Sequence, residues 1–463
     1  MNGAPSERSA LAGGAVAALL LACAQAPLGS TMIAVAIPSI AKTLSEDVAT
    51  ATSLLVTSYL VVNIVGQSPG GKLGDVLGHS RTVRFGMVMY ALGSLAGLVA
   101  NRLSILVVSR ATMALGGALV VPATMALLRV HVPAERRGRV FGLVGATMGL
   151  SAAIGPPLGG EIVTRFGWRG IFAASLPFLA VAAVLSRIFR LPRREGGDEG
   201  KAKEGLRRFD YVGSALFAVA LGALVVASKV APSRRLSMLA ASLAVLVGFV
   251  LWELRAKDPV LDVRLFAIRG FATGSLGVTF QNFAMYGLIF QLPQFFTGLR
   301  GATARDVGRI LFVMMLGMFL TSMLGGRLSD RWGARRIALA AQIPFLAGFG
   351  LLTRIPEFQT PKDAAPALLL LGVGLGLSGA PFQATAMTSV SAARSGMAAG
   401  GTSTMRYAGG VVSILLLGVV LGEGGHATIE NHLAAVRVFL VGGVLSAITA
   451  ALLPGRTAHG RAA

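Results

Sequence analysis

The chain has 463 residues, 54% of them hydrophobic and only 13% charged, with a mean hydropathy of +0.71. Ordinary soluble domains are about 45–50% apolar and about 25% charged, so these proportions exclude a soluble globular protein and fit one that shows apolar surface to lipid. A formal net charge of +22 would suit a nucleic-acid partner, but the basic residues form no single patch. They punctuate apolar runs of about 20 residues, the length a helix needs to cross a bilayer. The single cysteine, Cys23, excludes an intrachain disulfide framework and a multi-cysteine metal site. The 60 glycines suit helices that pack closely in lipid.

In chain order, apolar spans run near residues 11–39, 50–71, 83–100, 103–128, 138–163, 169–189, 210–229, 236–254, 270–298, 306–328, 335–353, 364–388, 396–422 and 433–453. They do not alternate and exceed the roughly 10 residues of a barrel strand, which predicts an all-α polytopic membrane protein with 14 transmembrane helices. The first span, with Arg8 before it and Leu20-Leu21-Ala22-Cys23 inside it, looks like a signal or lipoprotein box. Its apolar pattern nevertheless continues through Ile37 and Pro38, so an uncleaved first helix is expected. If the N-terminus is cytoplasmic, the inner segments hold 27 of the 42 Lys and Arg and the outer loops 13. That bias places both termini in the cytoplasm of a bacterial cell.

Residues 190–209, RLPRREGGDEGKAKEGLRRF, form the longest polar stretch and read as a solvated linker. A repeat supports a division around it. Gly71-Lys72-Leu73-Gly74-Asp75-Val76-Leu77-Gly78 follows span 2, and Gly326-Arg327-Leu328-Ser329-Asp330-Arg331-Trp332-Gly333 follows span 10. Both read G-x-L-small-D-x-x-G on an expected short cytoplasmic turn. The expected domains are a six-helix bundle over 1–190, the linker at 191–209, an inserted helix pair over 210–254 and a second six-helix bundle over 255–463. Two repeated bundles around a midplane site are transporter architecture.

These motifs resemble the major facilitator superfamily, and within it the 14-spanner drug:proton antiporter family. Arg110, Gly116 and Ala118 partly match a fourth-helix motif R-x-x-Q-G-x-G-x-A, with Met113 and Ala114 at two of its positions. Span 5 carries Gly142 and then Ser151-x-x-x-Gly155-Pro156-x-x-Gly159-Gly160, similar to the antiporter motif. Trp168-Arg169-x-x-Phe172 with Pro177, and Phe209-Asp210-x-x-Gly213, resemble the starts of spans 6 and 7. The resemblance implies the major facilitator fold. It also implies that Gly71, Asp75 and Gly78 form a conformational switch that latches the bundles when the protein closes inside, with Asp330 as the repeat-related copy. The first helix departs from the family's L-D-x-T-x-x-N-x-A-x-P. Gly29 stands at the acidic position and Ala34 at the Asn position.

Ser151, Gly155 and Gly159 recur every four residues, a small-residue stripe. With the bend of Pro156 and with Gly160 it reads as a pivot between bundles, or alternatively as static close packing. Arg110 and Arg406 are the two arginines inside spans, and none of the 20 acidic residues sits mid-span to pair with them. Charges within lipid are costly and mark function, although an arginine bonded to carbonyls of a neighbouring helix is an equal reading. Tyr59, Asn63 and Gln67 share one face of span 2, and Gln281, Asn282, Gln291 and Gln294 add polar groups to span 9. All are substrate-cavity candidates, each balanced against a role as an interhelical hydrogen bond.

The five histidines, His79, His131, His426, His432 and His459, read as loop or tail residues without metal spacing. No nucleophile motif accompanies them, and the glycine-rich segments lie in spans rather than phosphate loops. No enzyme, cofactor or metal is therefore expected. The expected function is efflux of a small amphipathic drug or metabolite by a monomeric secondary transporter, with the proton as candidate coupling ion. The alternatives are a lipid or organic-anion carrier not coupled through a helix 1 acid, and a non-transporting receptor or assembly factor. The two mid-span arginines and the missing acid point to a neutral or anionic substrate.

Overall fold

A computed structural model describes residues 13–192, 210–227, 232–256, 259, 261–391, 395–422 and 427–455. Residues 193–209, most of the expected linker, lie outside the described residues, as do His426 and His459. The described chain is helical and contains no strand. The first half consists of α1 (Gly13–Leu44), α2 (Val48–Leu77), α3 (His79–Val99), α4 (Leu103–His131), α5 (Ala134–Phe166) and α6 (Gly170–Ile188). A pair follows, α7 (Tyr211–Ala227) and α8 (Pro232–Glu253). The second half is α9 (Arg269–Leu299), α10 (Ala304–Trp332), α11 (Ala334–Leu352), α12 (Ala365–Thr388), α13 (Ser395–Leu421) and α14 (Ile429–Leu452). Short 3₁₀ turns occupy Val263–Ala267, Ile355–Glu357 and Pro361–Ala364.

Among the described residues, ten helices are long and apolar enough to cross a membrane. α9, described throughout, carries glycines, Pro293 and several amides that lower its hydropathy. Side chains cap several helix starts. Asp47 accepts from the Thr50 N–H at 2.8 Å, and Thr428 and Asn431 form a reciprocal capping box.

The repeat is visible in the packing. In the first half the closest partners are α3–α4, α1–α5, α2–α4 and α1–α6. In the second they are α11–α12, α9–α13, α10–α12 and α9–α14, the same pairs displaced by eight helices. α7 packs on α8, with Phe217 and Phe249 stacked at 4.8 Å, and leans on α2. The halves meet along two seams, α5–α10 and α2–α13, with α1 and α9 touching between them.

The two G-x-L-x-D segments are not turns, contrary to the sequence reading. Nothing between Gly71 and Leu77 breaks the helix, so α2 runs on to Leu77 and the chain reverses at Gly78 alone, whose φ of 89° is left-handed backbone that only glycine adopts freely. The repeat behaves alike: α10 ends at Trp332, and Gly333 reverses the chain at φ 93°. Asp75 thus sits in the last turns of a helix rather than at a helix start. The Asp75 side chain lies outside the description, and Asp330 is exposed.

The histidine expectation also needs correction. His79 opens α3, His131 closes α4, and His432 lies fully buried in the first turn of α14, edge-on to Phe295 at 5.3 Å.

Candidate functional site

The α5–α10 seam is tight at one end and splayed at the other. Near the Phe166 end of α5, a Cβ on Gly160 would collide with the Ala304 carbonyl, and one on Gly308 with the Pro156 carbonyl, so backbone touches backbone there. About three turns along, a Cβ on Gly149 would lie 3.6 Å from the Phe319 ring. One turn further, Gly145 is exposed and meets nothing within 4 Å. The close contacts of this seam among the described residues thus fall at the end carrying Glu161, and Gly145, toward the other end, stands clear of α10.

An ion pair reinforces the closed end. The Glu161 carboxylate receives Arg305 of α10 twice, at 2.6 and 3.1 Å, and also Arg165 of its own helix. Gln294 of α9 donates to the Thr52 hydroxyl of α2 at 3.3 Å across the other side of the same end. Behind it lies a small cleft of about 100 Å³ bounded by Pro38, Asp47, Thr297, Leu421 and His432.

The small-residue stripe has a different partner from the one its spacing suggested. Gly155 and Gly159 face α1, where a Cβ would strike the Thr31 hydroxyl or crowd Met32 and Val35. They bind α5 to its own half. The contact between halves falls on the neighbouring face, through Pro156 and Gly160. Ser151 is half-buried. The Trp168-Arg169-x-x-Phe172 motif is a clasp at the same end. Arg169 lies over the Trp168 ring at 4.3 Å and donates to the Ala100 carbonyl at 2.8 Å, holding the α5–α6 corner to the α3–α4 corner.

At mid-length of the helices a polar cluster gathers. Arg110 of α4 is fully buried; it donates to the Gly29 carbonyl at 3.1 Å and lies 4.1 Å from the centroid of the Tyr59 ring. Tyr59 in turn donates to the Ala26 carbonyl at 2.9 Å, and Tyr90 of α3 to the Gln25 carbonyl at 2.7 Å. Three side chains from three helices thus grip one stretch of α1. Gly29 belongs to the same grip, because a Cβ there would collide with the Tyr90 hydroxyl. An aspartate at that position has no room beside this tyrosine.

Next to the grip, Gln67 donates to Asn63 at 2.8 Å on α2, and Tyr407 of α13 is within hydrogen-bond reach of Gln67. Arg406, half-buried on the same helix, donates to the Gln383 side-chain oxygen of α12 at 2.8 Å. Tyr286 of α9 lies within electrostatic reach of both arginines. Of the chain's five tyrosines, four therefore meet at this level. Among the described residues no carboxylate shares it: Asp75, Glu161, Glu253, Asp306, Asp330 and Glu430 all lie near helix ends.

Of the expected cavity residues, the structure brings Tyr59, Asn63, Gln67, Arg110 and Arg406 together. Three others are placed elsewhere, a correction to their candidacy. Gln281 is buried and bonds to Ser378 of α12, and Gln291 donates to the His432 carbonyl at 2.6 Å, so both tie helices within the second half. Gln294 belongs to the closed end. Asn282 bonds back to the Val278 carbonyl of its own helix at 2.8 Å. Tyr90 and Tyr407 were missed by sequence reasoning; the signal was the rarity of tyrosine and its placement mid-span.

Two repeated helical halves meeting around a buried polar cluster define the class, a polytopic membrane transporter. The Major Facilitator Superfamily profile matches residues 19–414, and the chain belongs to that superfamily. YvkA of Bacillus subtilis (strain 168), named an uncharacterized MFS-type transporter, is 31% identical over 437 residues, 94% of this chain and 96% of the relative. The multidrug resistance protein Stp of Mycobacterium tuberculosis (strain CDC 1551 / Oshkosh) is 32% identical over 425 residues, 88% of this chain and 75% of the relative. Among solved structures, a bacterial homolog of the human lysosomal transporter Spinster, in an inward-facing and unoccupied conformation, is similar with TM-score 0.66 at 16% identity, covering 97% of each chain. At that identity the likeness speaks for the fold alone.

Proposed function

We propose that this chain is a 14-spanning secondary active exporter of small amphipathic molecules, working by alternating access in a bacterial cytoplasmic membrane. The observation that carries the reading is the seam between α5 and α10, closed at Gly160–Ala304 and Glu161–Arg305 and open at Gly145. With its close contacts at one end, the seam fits one of the two states such a carrier needs, and we take the cluster to be reached from the other end. The bias of Lys and Arg puts the open end, and both termini, in the cytoplasm. Asp75, Gly71 and Gly78 with Asp330 would then latch the halves in the opposite state, and the α5–α10 contact at Pro156 and Gly160 would be the fulcrum. The substrate meets the protein at Arg406, Tyr59, Asn63 and Gln67, with the sealed Arg110 holding α1 beside them, and the carrier works as a monomer in lipid. The multidrug name of Stp supports an efflux role, and the proton is the candidate coupling ion.

Flux into inside-out vesicles, across a panel of drugs and metabolites with and without a proton gradient, tests the reading. Protein-dependent accumulation of at least one solute is expected. Equal flux in vesicles with and without the protein, at normal expression, would contradict it and favour a non-transporting receptor.

A further inference from the structure

The two interior arginines differ in what remains of their bonding capacity. Arg110 is sealed: buried, bonded to the Gly29 carbonyl and stacked on Tyr59, it holds α1. Arg406 is half-buried and its bond among the described residues is to one neutral amide oxygen, on an exposed Gln383. A guanidinium carries five N–H donors and stays charged. Its charge here has no carboxylate at its level, and Arg110 adds a second positive charge to the same interior. Uncompensated charge within the membrane is costly. An anion entering from the open end would relieve that cost and could take the guanidinium in bidentate fashion. Tyr407 adjoins Arg406 in the chain and Tyr286 lies within its electrostatic reach, so two aromatic rings stand near the guanidinium. Rings there prefer a flat, aromatic partner.

We propose that Arg406, oriented by Gln383, is the anion-recognition point of the cavity, and that the transported class is aromatic organic anions such as aromatic carboxylates. Arg110 positions α1 and does not touch the substrate. This rests on the transporter reading and deepens it.

The test uses three probes with one ring system: 2-naphthoate, 2-naphthalenemethanol and 2-naphthylmethylammonium. Their binding to the purified full-length protein in lipid nanodiscs is measured by titration calorimetry, and their flux in proteoliposomes in parallel. The expected result is 2-naphthoate binding at least tenfold more tightly than the ammonium probe. Arg406→Gln should abolish that ratio, Arg406→Lys should retain much of it, and Gln383→Leu should reduce it. Arg110→Gln should lower the unfolding midpoint and leave the ratio in place. A preference for the ammonium probe, a ratio indifferent to position 406, or no binding of 2-naphthoate by a folded protein would each overturn the assignment. Flux of the ammonium probe alone would overturn it while leaving the transporter reading intact. Binding of 2-naphthoate that depends on Arg406, with no flux of any probe, would instead uphold the site and count against the transporter.

Discussion

Gly29 and Tyr90 are a complementary pair: the phenol fills the space that a side chain at position 29 would need. Gly29→Ala should therefore overpack the grip on α1 and cost about 1–3 kcal/mol. Tyr90→Phe removes the colliding oxygen, so the double variant should recover part of the loss. Thermal unfolding of the four proteins in detergent checks this, with strict additivity of the two effects as the adverse result. Asp75 gives a second prediction at this scale. It lies in the last turns of α2, where its charge opposes the helix dipole and is worth roughly 0.3–1 kcal/mol against the helix. On the proposed closed-inside latch, Asp75→Asn should insert normally and lose transport. Unchanged flux at normal protein level would remove Asp75 from that role. Single residues were the hardest part to read from sequence. The spacing Tyr59-Asn63-Gln67 revealed a polar face correctly, since three residues at helical period must share one. Gln281 and Gln291 were indistinguishable from cavity groups, because an amide that bonds a neighbouring helix and one that faces a void leave the same mark in a chain. The convergence of Tyr90 and Tyr407 depends on contacts hundreds of residues apart and leaves no local periodicity.

At the scale of elements, α5 serves two partners with adjacent faces. Gly155 and Gly159 fix it to α1, while Pro156 and Gly160 meet α10 across the seam. The four-residue spacing announced close packing but not which helix would fill the groove. Likewise, the repeated G-x-L-x-D ending in Gly78 or Gly333 announced a chain reversal, and misplaced it by treating six helical residues as loop. The seam rests on Glu161, shared by Arg165 and Arg305. Glu161→Gln should weaken the closure and raise the population parted at that end. The native Cys23 is buried, so introduced thiols report cleanly. With cysteines at Phe166 and Thr303, spin-label distances should lengthen in the Glu161→Gln background. No lengthening would show that backbone contact at Gly160–Ala304 suffices to hold the seam.

For the whole molecule, helix number and order follow from the apolar spans, because in lipid each span must satisfy its backbone alone as a helix. The halves repeat with an offset of eight helices, and α7–α8 stand apart against α2. What the spans do not encode is which state the halves adopt, since that depends on small energies summed along two seams. Reporter fusions after Arg194 and after Arg456 should both give cytoplasmic signal. A periplasmic signal at either would break the proposed topology.

The most direct test of alternating access is a pair of distance measurements on the same protein in lipid. One label pair, at Gly145 and Ser322, reads the end proposed to open to the cytoplasm; the other, at Phe166 and Thr303, reads the end in close contact. With 2-naphthoate present, or another solute that the vesicle panel identifies as transported, pulsed spin-resonance should show the first distance shortening as the second lengthens. Two distances that stay fixed under turnover, or that lengthen together, would contradict the account.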